Sequence, residues 1–242
     1  MIPLLVLLLT QPASPGAVED GLRDAQCRYD AAAAAALVEA QRADAEALAD
    51  PARREWFVRS LLLLAELRRI EFEALPPEDR AARRALGAQI DAAAGEALGC
   101  LDGLPETSET QRIRADVYGV MIRTGYQAKK YRKLMDSALA RALELDPDNL
   151  RARLTEVKPF VFAERSQGGD PIKAIALLDA IVAKDPDNEQ ALLLRGLAHE
   201  QAGHTVAAVQ DWRHALRINP ECRPARDALA KYGVSGTGAE AR

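Results

Sequence analysis

Long apolar runs are missing from this chain. Residues 2–9 and residues 31–38 are each eight long, well short of the ~20 that a membrane-crossing helix needs. Cysteine is scarce: Cys27, Cys100 and Cys222 are too few for a disulfide framework and leave room for one pair. Aromatic residues make up only 5% of the chain and β-branched residues are few, which argues against a sheet. Positive charge is not in excess either, because the net charge is -4, so nothing global points to nucleic acid. A phosphate loop with its Lys-Ser/Thr is absent, and no nucleophile, base and orienting acid come together as a catalytic group.

What the 242 residues do contain is helix-forming sequence in successive Ala-, Leu-, Arg- and Glu-rich runs, long enough to bury a sizeable core. Two prolines, Pro186 and Pro220, lie 34 residues apart, and each closes an apolar run of helical period. Between them, Leu192, Gly196 and Leu197 fall on a first helix, Gly203 in a turn, and Ala208, Trp212 and Ala215 on a second. The small residues suit points where paired helices approach closely, with Trp212 as the bulky filler. This interval and these residues resemble the tetratricopeptide repeat, of the kind found in exported bacterial proteins.

Upstream the pattern is altered. Pro147 precedes Pro186 by 39 residues, so that repeat carries five extra residues, placed in its internal turn around 163–167. Ile181 stands where the repeat has Ala. Pro159 falls within the first helix and predicts a kink or an early end. Ala138 to Pro147 resembles a third closing helix. The resemblance implies an all-α fold, a right-handed antiparallel helix-hairpin solenoid, and about ten helices are expected. Four regions follow: 1–17, a signal peptide; 18–106, helices of degenerate repeat; 107–232, tetratricopeptide-like repeats with a capping helix from about Glu221 to Tyr232; and 233–242, a polar tail. One unbroken helix is expected over 19–49, one opened by Pro76 and Pro77, and one started by a capping box of Ser108 and Gln111.

Residues 2–9 read as the apolar core of a secretory signal, with cleavage after Gly16 or Ala17. No Lys or Arg precedes that run, and Pro15 is poor at such a site, so a frayed N-terminus on a cytoplasmic protein is the alternative to a periplasmic or secreted one. Cys27 and Cys100 can pair in an oxidising compartment only if the first long helix breaks. Otherwise they lie at opposite ends of helices about 30 Å long, at 1.5 Å per residue.

His199 and His204 are one residue too far apart for the two-histidine zinc motif of a single helix, so no metal site is expected. Gly168 and Gly169 before Asp170 and Pro171 are explained by an N-cap followed by proline at the first helical position. Lys129, Lys130, Arg132 and Lys133, interleaved with Tyr126 and Tyr131, form a basic patch. It is either a solvated face with the rings turned inward or a dock for an acidic partner or anionic surface.

The family resemblance implies a non-enzymatic scaffold without cofactor, whose first helices line a concave groove for a partner protein or peptide of the cell envelope. Carried over, the groove residues are Arg151, Leu154, Lys158, Val161 and Phe162 in one repeat, and Gln190, Leu193, Leu197, Glu200 and Gln201 in the next. The family's Lys and Asn clamp for a terminal carboxylate is not reproduced, so a hydrophobic or amphipathic segment suits the groove better. The alternative implied is a solute-binding relative, associated with transporters, that holds an apolar small ligand between its helices.

Overall fold

A computed structural model describes residues 15–44 and 47–234. The described residues form eleven α-helices and no strand: α1 (Pro15–Arg28), α2 (Ala31–Arg42), α3 (Pro51–Ala74), α4 (Arg80–Leu101), α5 (Ser108–Val120), α6 (Gly125–Leu145), α7 (Leu150–Phe162), α8 (Pro171–Lys184), α9 (Glu189–Gln201), α10 (Thr205–Ile218) and α11 (Arg223–Ala230). Short 3-10 turns occupy Ala47–Ala49 and Arg165–Gln167. The chain divides into two compact units, Met1–Ala140 and Arg141–Arg242, with the boundary inside α6. Most of the expected signal segment, and the tail beyond Val234, lie outside the described residues.

In the first unit the expected helix over 19–49 is broken, which raises the count from ten to eleven. Tyr29 adopts φ 54°, a left-handed conformation that costs a side-chain-bearing residue about 1–2 kcal/mol. Asp30 then caps α2 by accepting a hydrogen bond from Ala33 N–H at 2.9 Å. The break lets Ala25 of α1 and Ala31 and Ala34 of α2 pack on Leu63 and Leu67 of α3. That burial offsets the strained tyrosine. No disulfide links Cys27, which is buried, to Cys100, which is half-buried.

Helix α3 is the centre of this unit because apolar residues cover most of its circumference. Phe57, Val58, Leu61 and Leu62 join Ile90, Ala94 and Ala97 of α4 and Ile113 and Val117 of α5 in one core. Each such Leu, Ile or Phe contributes about 1.5–3 kcal/mol on burial. Pro76 and Pro77 stand between helices: α4 starts at Arg80, under Asp79, whose side chain accepts from Ala82 N–H at 3.1 Å. The capping box of α5 is Thr107 with Thr110, one residue earlier than Ser108 and Gln111. Threonine fits because its hydroxyl accepts from Thr110 N–H at 3.1 Å while Thr110 Oγ1 accepts from Thr107 N–H at 2.9 Å.

The second unit is a succession of helical hairpins, α7 with α8 and α9 with α10, closed by α11. The same tetrapeptide, Asp-Pro-Asp-Asn, ends at Asn149 and again at Asn188. Each Asn caps the following helix by accepting from the backbone N–H three residues on, Ala152 or Ala191, at 3.0 Å. Helices α7 and α9 are both 13 residues long, and α8 and α10 both 14. Pro159 therefore does not end α7 early: it lies in the last turn, and its carbonyl still accepts from Ala163 N–H at 3.1 Å. The five extra residues all fall between α7 and α8, where eight residues connect the helices against three between α9 and α10.

The α9–α10 pairing rests on one close approach. A Cβ on Gly196 would stand 2.3 Å from Trp212 Nε1, so only glycine lets the indole lie against the backbone of α9. Gly203 makes the turn with φ 82°. Arg195 ties three helices, donating from Nε and Nη2 to Asp211 of α10 at 2.9 and 2.6 Å, and from Nη1 to Asp179 of α8 at 2.8 Å. Helix α11 packs on the α9–α10 pair, with Cys222, Ala225 and Leu229 buried on Leu192, Ala208 and Trp212. Beyond it, Tyr232 stacks on Trp212 and donates its hydroxyl to Glu200 at 2.8 Å.

Candidate functional site

The residues expected to line a groove separate by burial. Leu154 and Val161 are 2% and 1% exposed, within the core that α7 shares with α8 and α9. Leu197 packs against that same core and Leu193 against the one beneath α11. Leu154 and Val161 are thus corrected from groove lining to helix packing, because α7 uses these apolar positions to pack on α8 and α9. Glu200 is engaged by Tyr232 and by Lys231, 3.7 Å away. Arg151, Gln190, Gln201 and Phe162 are exposed, and Lys158 is half-buried.

Three members of the set do meet. Gln201, at the end of α9, donates its side-chain amide to Val161 O at 2.9 Å, joining the C-terminal ends of α7 and α9. Beside this bond lies an open hollow of about 330 Å³ lined by Val161, Phe162, Ala163, Glu164, Arg165, Gly169, Pro171 and Gln201. Phe162 stands 63% exposed at its edge. The inserted residues build its wall. Gly169 donates to Glu164 O at 2.9 Å and Asp170 donates to Phe160 O at 2.9 Å, which folds the loop back on the helix end. A Cβ at Gly169 would meet Ala163 O at 1.9 Å, so the fold-back needs glycine. Asp170 and Pro171 start α8 as expected, the Asp170 carboxylate accepting from Lys173 N–H at 3.0 Å. Among the described residues Arg165 makes no ion pair, which leaves a cation at the rim beside Glu164.

The basic patch lies in the first unit. Lys129, Lys130, Arg132 and Lys133 are all exposed. The two tyrosines take opposite roles: Tyr131 packs against the core and stacks on Tyr118 with ring centroids 6.2 Å apart, while Tyr126 is 80% exposed. Lys130 Nζ sits 4.7 Å from the Tyr131 centroid, and a hydrogen bond to Tyr131 raises its pKa. Arg123, just before α6, donates from Nη2 to both carboxylate oxygens of Asp91 at 2.8 Å, whereas its Nη1 is buried without a hydrogen-bond partner.

Sequence spacing gave no sign of how the histidines lie. His199 Nδ1 and His204 Nδ1 are 3.3 Å apart, with ring centroids at 5.5 Å. His214 instead meets Asp187 at 3.0 Å. Burial lowers the pKa of His199, Asp211 opposing this and Arg195 and His204 adding to it. Among the described residues no three His, Cys, Asp or Glu side chains form a metal-holding group, and no helix is long and apolar enough to cross a membrane.

No protein-family description matches this sequence. No curated protein matches it. Among solved structures, the chain is similar to the crystal structure of YrrB, a TPR protein with an unusual peptide-binding site. The TM-score is 0.41 at 15% identity, over 92% of this chain and 100% of that one.

Proposed function

We propose that this chain is a non-enzymatic scaffold of the cell envelope that holds a segment of another protein, anchored in the hollow at the α7–α8 connection. The observation that carries this reading is Phe162. A phenylalanine left exposed beside a concavity with an apolar floor is the arrangement by which one bulky side chain of a partner is gripped. The hollow has room for one large apolar side chain with space to spare, and it opens to solvent, so the rest of a bound segment runs outside it. Arg165 at the rim favours an acidic neighbour in that segment. The α9–α10 connection, five residues shorter, builds no such wall.

A photo-crosslinking amino acid placed at position 162 should capture a defined partner protein in cells, and the same group at exposed Arg213 should not. Equal capture at both positions refutes the anchor. Recovery of no protein, with a small apolar molecule co-purifying, would replace the scaffold by the solute-binding reading. Export is proposed from residues 2–9. Cleavage after Gly16 or Ala17 would spare Val18, which is buried in α1, and the intact mass of the mature protein decides it.

A further inference from the structure

His199 lies in the last turn of α9 and His204 at the N-cap of α10, where its side chain makes no capping bond. Gly203 folds the chain between them, so two side chains that one continuous helix would point in different directions come face to face. Their Nδ1 atoms stand 3.3 Å apart. A single shared proton accounts for that distance in the metal-free protein. The distance also has a second meaning, because nitrogen ligands at 2.0–2.1 Å on a tetrahedral zinc ion are ~3.3–3.4 Å from each other. Ligands at right angles, as on a square-planar ion, would need ~2.9 Å.

We propose that His199 and His204 form a solvent-open two-histidine site for a zinc-class divalent ion, both ligating through Nδ1, with the remaining positions taken by water. Each ring has to turn by about 35° from the line joining the nitrogens for its lone pair to meet a tetrahedral ion. His204 is exposed and tied by no cap, so its ring is open to that turn. Asp211 and Asp179, the nearby carboxylates, are held by Arg195 and act on the ion through their charge alone. Two protein ligands give weaker binding than a closed four-ligand structural site. The inference is independent of the scaffold reading.

The full chain should bind one Zn2+ in a calorimetric titration at mildly alkaline pH. H199Q and H204Q should each weaken binding by about tenfold or more, while H214Q leaves it unchanged. Zn2+ should also shift the ring nitrogen resonances of His199 and His204. Absence of binding at millimolar Zn2+ overturns the proposal, as does equal affinity in H204Q or a loss seen in H214Q instead. Circular dichroism checks that the variants fold, and H204Q, at an exposed position, carries the test should H199Q not fold.

Discussion

Replacing Gly196 by alanine sets two effects against each other. In the middle of a helix, alanine gains about 1 kcal/mol over glycine. Here the added methyl would meet Trp212 Nε1 at 2.3 Å, Cδ1 at 2.7 Å and Cε2 at 2.9 Å. Those atoms belong to a rigid ring system that is itself buried among Leu192, Ala208 and Leu229 and stacked on Tyr232. The indole cannot swing aside as a flexible side chain would, so either α9 and α10 separate or Trp212 leaves its site. Overpacking of this kind costs typically 1–3 kcal/mol, sometimes more, and three simultaneous contacts place this case at the upper end. The expected net loss is about 2 kcal/mol.

Gly95 supplies the control. It too lies inside a helix, but an added Cβ there meets nothing within 4 Å, so G95A should be stabilising by up to about 1 kcal/mol. Urea unfolding followed by Trp212 fluorescence in a W56F background reports the second unit and so G196A, while Trp56 fluorescence in a W212F background reports the first unit and so G95A. With an m-value of about 2 kcal/mol/M, G196A should lower the midpoint by about 1 M. A neutral or stabilising G196A would refute the close packing of α9 on α10.

Three further outcomes follow from the same geometry. R195M leaves the buried Asp211 carboxylate without its cation and should cost about 3 kcal/mol, partly recovered in R195M/D211N; no recovery would mean that Arg195 acts by packing alone. L229A, in the buried face of α11, should destabilise the second unit by about 2–5 kcal/mol in urea, and a silent substitution would deny α11 its capping role. Burial, reinforced by Glu96 and opposed by Arg54, raises the pKa of Cys100. Less thiolate is then present at any given pH, so alkylation of Cys100 should be slow at neutral pH and rise only above the ordinary cysteine range; labelling at the rate of a peptide cysteine contradicts this.

The hairpins were legible because their signals are local. Pro186 and Pro220 bound a unit, Gly203 marks its turn, and the small residues facing Trp212 mark its seam. The position of the five extra residues followed by subtraction. The break at Tyr29 was not legible, since the polyalanine stretch after it favours helix and the conformation is imposed by packing on α3. Local chemistry also misled at α5, where a Ser108–Gln111 pair mimics the capping box that Thr107 and Thr110 form.

At the candidate site the limits are three-dimensional. Family position placed Leu154 and Val161 on an open face, whereas their burial depends on how closely α8 and α9 flank α7. The bond from Gln201 to Val161 spans 40 residues, and no spacing encodes it. The histidine pair was set aside on the geometry of one helix, but His204 belongs to the next.

The bond from Asp170 N–H to Phe160 O has a consequence for how this chain can change over time. It pins both ends of the α7–α8 connection, so helix pairing depends little on residues 164–168, which lie between the buried Val161 and the glycine required at 169. That segment is in effect an exchangeable cassette. Descendants of this sequence are free to lengthen, shorten or recharge it and so acquire new partners, with the hairpin core untouched.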